Sequence, residues 1–263
     1  MNRFKWFLGP LLFVCVGSYG VLSTEHREKA LNKSRIELPA KKKGYSEYIL
    51  NHMGYTVSFN KNTMQPNWVA WELTAHEVEG KHARSNNFQP DPSLPPHLRV
   101  TTEEYIGSGY DRGHMAPSAD MKWSLRAMIE CFYMSNICPQ NGSLNGGGWS
   151  SLEKTCRRWA KENGRIFIVC GPVFKGNKHK WIGRTHKIPV PEGFFKVVLS
   201  LKKGDEKAIG FYYRNTSAKQ TMEEAAMSVD DAEALTGYDF YPLLPKELEK
   251  KIEAVFSLKK WHF

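Results

Sequence analysis

From Tyr55 onward the chain alternates apolar and polar residues with the period of a strand. Tyr55-Thr56-Val57-Ser58-Phe59 and Asn67-Trp68-Val69-Ala70-Trp71-Glu72-Leu73 predict two strands, joined by a hairpin connection over Asn60–Pro66. Apolar runs at Arg165–Cys170, Phe194–Leu201 and Ile209–Arg214 predict three more. Elsewhere the period lengthens. Trp149, Leu152, Cys156 and Trp159 recur at helical spacing, which predicts a helix over Ser150–Asn163 stopped by Gly164. Ser124 caps a shorter helix running to Phe132, and Asp230–Leu235 and Lys246–Ala254 predict the helices that close the chain. Two stretches carry no period. Residues 80–100 are interrupted by Pro90, Pro92, Pro95 and Pro96, and Asn136–Gly148 is an irregular segment rich in Asn and Gly. The order of strands and helices is not a regular βαβ alternation, so the fold class is α+β.

The first residues depart from this pattern. Arg3 and Lys5 precede the apolar run Trp6–Val16, the shape of an export signal. Ser18-Tyr19-Gly20 offers a small-x-small cleavage site; the alternative is an uncleaved membrane anchor over residues 6–22, since a span needs ~17–20 apolar residues. The protein is therefore expected to be exported, periplasmic or secreted, and either free or tethered to the membrane. Residues 1–22 read as signal or anchor, 23–44 as a basic polar tether ending in Lys41-Lys42-Lys43, and 45–263 as one domain. Lys+Arg 37 against Asp+Glu 27 gives a formal charge of +10. Only Arg3 and Lys5 of these charges lie in residues 1–22, so the basic balance belongs to the rest of the chain. It suits a polyanionic partner, as it suits an ordinary solvated basic surface.

Candidate chemistry is concentrated in Tyr110-Asp111-Arg112-Gly113-His114-Met115-Ala116-Pro117. Gly107 and Gly109 precede it and Pro117 ends it, which predicts irregular backbone. An imidazole with an unperturbed pKa near ~6.5 serves as a general base, and an arginine fork matches phosphate oxygens. One histidine among nine is, alone, more often structural than catalytic. A second cluster downstream changes that balance: Asn136-Ile137-Cys138-Pro139-Gln140, Leu144-Asn145, and Trp149-x-x-Leu152-Glu153-x-x-x-Arg157. Each part has an ordinary reading. Asn145 before three glycines suits a turn, Ser150-Ser151-Leu152-Glu153 is a capping box, and Arg157 stands at salt-bridge spacing from Glu153.

Taken in order with Asp111-Arg112-Gly113-His114, these motifs resemble the DNA/RNA non-specific endonuclease family, over the chain from Trp68 to Tyr241. The resemblance implies a ββα-metal nuclease fold, with a mixed, mainly antiparallel sheet flanked by helices. It implies an endonuclease that hydrolyses phosphodiester bonds of DNA and RNA, held through the phosphate backbone without sequence preference. In that reading His114 is the general base, and Asn145 is the direct protein ligand of Mg2+, with Mn2+ as the alternative metal. Glu153 holds metal-bound water, Arg157 and Arg112 face the scissile phosphate, and Asn136 and Gln140 orient the site or bind substrate. Asp111 is read as structural, bonding to loop amides. A homodimer is a further implication.

Other motifs are absent. Gly142–Gly148 lacks the Lys-Ser/Thr of a phosphate loop, and neither a dinucleotide fingerprint nor a G-x-S-x-G elbow occurs. Beyond the signal, Cys131, Cys138, Cys156 and Cys170 permit disulfides with three pairings, or stand as buried free thiols. Without a C-x-x-C spacing a zinc site is disfavoured. The rival to the enzyme is a basic nucleic-acid-binding envelope protein of the same fold that has lost the reaction.

Overall fold

The computed structural model describes residues 35–42, 44, 46–176 and 179–262, so the signal or anchor and most of the tether lie outside the described residues. No helix among the described residues is long and apolar enough to cross a membrane. The end of the expected tether is part of the folded unit, which begins at Arg35. Ile36 is buried, Arg35 Nε donates to Glu37 Oε1 at 2.7 Å, and the Ala40 amide donates to the Asp239 carbonyl at 2.8 Å. An isoleucine inside a basic run is enough to pin that run to an apolar surface.

The strands are β1 (Tyr48–Asn51), β2 (Thr56–Asn60), β3 (Gln65–Thr74), β4 (Asp111–His114), β5 (Ile137–Gln140), β6 (Arg165–Val173), β7 (Trp181–Ile182), β8 (Ile188–Pro189), β9 (Gly193–Ser200), β10 (Lys207–Arg214) and β11 (Ala226–Met227). Seven of them form one sheet in the order β1-β2-β3-β6-β9-β10-β11, while β4 with β5 and β7 with β8 form separate pairs. Every ladder is antiparallel, and a lone parallel bridge joins Gln89 to Tyr133. The helices used below are α1 (Leu125–Glu130), α2 (Ser150–Asn163), α3 (Val229–Thr236) and α4 (Lys246–Glu253).

The central strands are apolar on both sides because both faces are covered. In β9 and β10 the pairs Lys196–Phe211 and Val198–Ile209 share one face. Against that face lie α2 and the β4–β5 hairpin: Trp159 stacks on Phe211 at 6.2 Å, and Trp149 meets Phe194 at 5.7 Å. The opposite face, with Phe195 and Gly210, takes the C-terminal helices. Phe240 packs on Phe195 at 5.5 Å, and Gly210 lets Ala232 of α3 come close. Leu152, Cys156, Trp159 and Ala160 are the buried stripe of α2, as the helical spacing predicts, and Gly164 ends it at φ 80°. The hairpin followed by α2 is the expected ββα unit. All four described cysteines are free and buried. Burial pushes the thiols of Cys131, Cys156 and Cys170 up to about 12, so the free-thiol alternative holds and they are inert.

Candidate active site

The Asp-Arg-Gly-His run is a regular strand, β4, where the flanking glycines predict irregular backbone. It pairs with β5 so that Asp111 faces Gln140, Gly113 faces Cys138 and His114 faces Ile137. Glycine is required at 113 by proximity: a Cβ there would lie 2.2 Å from Gln140 Oε1 and 2.6 Å from Gln140 Cβ. Beyond His114 the backbone is tied down. Asn136 Oδ1 accepts from the Ala116 amide at 2.9 Å, and Asn136 Nδ2 donates to the carbonyls of Ala116 and Cys131, each at 2.9 Å. Trp149 Nε1 donates to the His114 carbonyl at 3.3 Å.

Asn136 and Gln140, expected to orient the site or bind substrate, lie behind the strand that carries His114. Both side chains are fully buried. The Asn136 amide is spent on backbone, so it holds the strand that carries His114 and has nothing left for a ligand. Gln140 lies beneath Gly113, and neither its amide oxygen nor its nitrogen has a partner.

His114 is 7% exposed and stands between two rings, Phe88 at 5.2 Å and Phe132 at 4.8 Å. Its Nε2 is buried without a hydrogen-bond partner. A guanidinium covers each ring: Arg112 Cζ is 4.4 Å from the Phe88 centroid, and Arg84 Cζ is 5.0 Å from that of Phe132. Burial, then the charges of Arg84 and Arg112, lower the His114 pKa to about 3. The imidazole is therefore neutral at physiological pH, the form that accepts a proton.

The segment before α2 consists of short helical turns broken at Gly147, whose φ of −105° and ψ of −108° are non-helical, so the irregularity that its Asn and Gly content predicts is found there. Asn141 Oδ1 accepts from the Ser143 amide at 3.0 Å, and one α turn over Gly142–Leu144 passes into a π turn over Asn145–Trp149 and on into α2. Trp149 and Ser150 are already helical, and α2 carries no side-chain cap, which removes the capping-box reading of Ser150 and Glu153. Gly148 permits the close approach of this turn to the sheet, since a Cβ there would lie 2.8 Å from Tyr213 Cε1. Asn145 stands before the kink at Gly147 and Glu153 after it, in the first turn of α2. Asn145 Nδ2 donates to Asp111 Oδ2 at 2.9 Å, so Asp111 bonds a side-chain amide instead of loop amides. The amide nitrogen of Asn145 is thereby spent on Asp111, which leaves its oxygen as the donor atom for a cation.

Arg157 makes its ion pair with Asp120, Nη1 to Oδ1 at 2.9 Å, in place of the helix-face pair with Glu153. Asp120 is buried and also accepts from Trp71 Nε1 at 3.1 Å. Burial raises the Asp120 carboxyl while the Arg157 charge opposes that rise. Burial likewise pushes Glu153 up to about 7, against Lys196, with Asp120 adding to the rise and Arg157 and Arg84 opposing it. Lys196 is 1% exposed, its Nζ 4.4 Å over the Trp149 ring and 5.3 Å over that of Trp71. The nearby carboxylates and thiols keep it protonated despite burial.

A cleft of about 330 Å³ opens beside β4, lined by Phe88, Tyr105, Ile106, Tyr110, Arg112 and Asn145. A larger cavity of about 530 Å³ lies beyond the π turn, between Gly147 and Lys219; His114 lines neither, and the cleft beside β4 is the one that Arg112 and Asn145 share. Sequence reasoning missed Arg84, Phe88, Asp120 and Lys196. A lysine inside the apolar run Phe194–Leu201 was a readable signal. Arg84 and Phe88 sit in the proline-interrupted loop, and Asp120 follows an unremarkable Ser-Ala, so no local pattern marks them.

Comparison with known proteins agrees with this arrangement. The family model for DNA/RNA non-specific endonucleases matches residues 32–247. The chain is 36% identical over 217 residues to a mitochondrial nuclease EXOG of Danio rerio, which covers 77% of this chain and 62% of that protein. It spans, then, about three fifths of the fish protein's length. It is 34% identical over 218 residues to a nuclease of a Nostoc species, covering 79% of this chain and 78% of that one. Among solved structures, a chain from the crystal structure of the EndoG/EndoGI complex superposes with a TM-score of 0.75 at 25% identity, covering 84% of this chain and 94% of that chain. With its ββα unit and ordered motifs in place, the chain belongs to the DNA/RNA non-specific endonuclease family.

Proposed function

We propose that the protein is a divalent-metal-dependent endonuclease that hydrolyses phosphodiester bonds of DNA and RNA with little sequence preference. The observation that carries this reading is His114, a neutral, buried imidazole with an unpartnered Nε2, held between two phenyl rings that are each covered by an arginine, at the end of the strand whose Asp111 bonds Asn145. The donor set fits a small hard cation. Asn145 offers an amide oxygen, the exposed Asp111 carboxylate is adjacent, and among the described residues no cluster of thiolates or imidazoles competes. Asn145 would hold Mg2+ directly and Glu153 through water. Such an ion, when bound, neutralises charge on the phosphate and on the leaving oxygen.

The residues of the chain do the rest. Arg112 and Arg84 flank His114 and attract the phosphodiester to it. Their neutralisation by the anionic substrate relieves the two smaller causes that lower the His114 pKa, so it rises on binding although burial still holds it down. His114 then takes the proton of the attacking water as the water oxygen bonds to phosphorus and the bridging P–O bond breaks. Asp120 fixes the Arg157 guanidinium, whose remaining N–H groups face the phosphate charge that develops. No base-reading module is present in the sequence, and the charge of +10 favours backbone contact. Export is proposed on the N-terminal pattern alone; cytosolic retention of the full-length protein would refute it.

The test is plasmid nicking by wild type and His114→Ala, with Mg2+ and with chelator. Loss of the base should lower the rate ~10²–10⁴-fold with nucleic-acid binding retained. Nicking by His114→Ala at the wild-type rate would overturn the assignment. A wild-type protein that binds but never nicks would favour the binding-only rival.

A further inference from the structure

On the face of the sheet opposite the hairpin, α3 and α4 bring three carboxylates together. Asp230 and Glu233 lie one turn apart on α3, Glu253 is the last residue of α4, and one oxygen from each lies within 4.8 Å of the others. Acidic side chains often gather on surfaces, and Asp230 in the first turn of α3 has an ordinary role against the helix dipole. Glu253 has no such role. It is 3% exposed, and its Oε1 is buried with no hydrogen-bond partner. A buried oxygen without a partner is costly, and here its carboxyl sits against two more acids; burial and then those neighbouring carboxylates push it up to about 8. Lys246, the basic residue at the start of α4, donates to both oxygens of Glu249 at 2.7 Å and is directed there. One Glu233 oxygen accepts from the Phe240 amide at 2.7 Å, leaving the other available.

We propose that Asp230, Glu233 and Glu253 form a structural divalent-cation site, suited to calcium, that joins α3 to α4. The donors are all carboxylate oxygens, which excludes a preference for zinc or copper. Calcium takes oxygens at about 2.3–2.6 Å, so two ligands of one ion stand as much as about 5 Å apart, whereas magnesium at about 2.1 Å draws them closer. The three oxygens all lie within 4.8 Å of one another, inside calcium's reach, and calcium tolerates the irregular geometry of ligands drawn from two helices. Exposed Asp230 leaves room for water ligands on the outer side, while Glu253 anchors the inner side. The bound ion meets the Oε1 that the protein leaves without a partner. None of these residues belongs to the nuclease machinery, so the site stands or falls separately from the proposed reaction.

The test uses full-length protein stripped with chelator and then melted with and without Ca2+. Wild type should gain roughly 5–10 °C at saturating Ca2+. Asn145→Ala should gain the same, which separates this site from the catalytic one. Asp230→Asn, a change at an exposed position, should fold normally, keep wild-type nicking in Mg2+ and lose most of the gain. Glu253→Gln should lose it as well. Equilibrium dialysis of Asn145→Ala with radioactive calcium should return one ion per chain. A wild type that does not respond to Ca2+, or a response undiminished in Asp230→Asn, would overturn the proposal.

Discussion

Replacing Glu153 with glutamine should stabilise the protein at pH 8 while disabling it. The folded protein holds this carboxyl at about 7, against an ordinary 4.5, because burial outweighs the nearby Lys196 and Arg157 charges. A raised carboxyl means that the folded state binds the extra proton between those two values, so stability falls as pH rises from 4.5 to 7 and stays lower above. At 1.36 kcal/mol per pKa unit, the ionised group costs at most on the order of 3 kcal/mol at pH 8, since the side chain is only half-buried and solvent screens part of the effect. Glutamine mimics the neutral acid and avoids that cost. In chelator, Glu153→Gln should therefore melt roughly 5–10 °C above wild type at pH 8 and within a few degrees of it at pH 5. Nicking should fall by roughly ten- to a hundredfold with a higher Mg2+ requirement. The chelator matters, because a bound cation favours the carboxylate and would hide the effect. The assay is a pair of melting series across pH, with a magnesium titration of the nicking rate. An equal difference between the two proteins at both pH values would refute the buried-carboxylate reasoning. Unchanged magnesium dependence would remove Glu153 from the metal's surroundings.

His114 gives the opposite sign. Its folded pKa of about 3 lies below the ordinary 6.5, so the stability it contributes is full above 6.5 and lost as pH falls toward 3; His114→Phe should flatten that acid limb in thermal melts. Asn136→Ala removes three hydrogen bonds around Ala116 and should destabilise by about 2–4 kcal/mol in urea titrations, with activity per folded molecule falling too because the His114 strand loosens. Gly113→Ala forces a Cβ to 2.2 Å from Gln140 Oε1, so it should cost about 1–3 kcal/mol and displace the strand, read as lowered Tm together with lost nicking. For a His114→Ala protein, the affinity for DNA should fall steeply with salt in fluorescence titrations and differ little between sequences.

Short windows of sequence determined a large part of this protein, because they carry period, turn chemistry and steric demand. The helix over Ser150–Asn163 was legible from Trp149, Leu152, Cys156 and Trp159, and its end from Gly164, since amphipathic spacing and a left-handed stop are local properties. Ser124 as a cap and the hairpin strands around Asn60–Pro66 follow for the same reason. His114, Asn145 and Glu153 could be singled out because their side-chain chemistry and order survive without any knowledge of packing. What they do to one another could not be read that way. Arg157 chose Asp120, 37 residues away, over Glu153 on its own helix, because the fold sets that carboxylate beneath α2. Lys196 reads as an oddity in an apolar strand until β9 places it against Trp71 and Trp149. The pKa values of His114 and Glu153 moved in opposite directions with burial as the largest cause of each, and burial is a sum over neighbours that are distant in sequence. The stretch Asn145–Trp149 reads locally as a glycine-rich loop, and it does break at Gly147; what the sequence could not show is that Gly148 is set against Tyr213 as α2 begins. Local preference selects the elements, and the shared interior decides which charges meet and which hydrogen bonds go unmet.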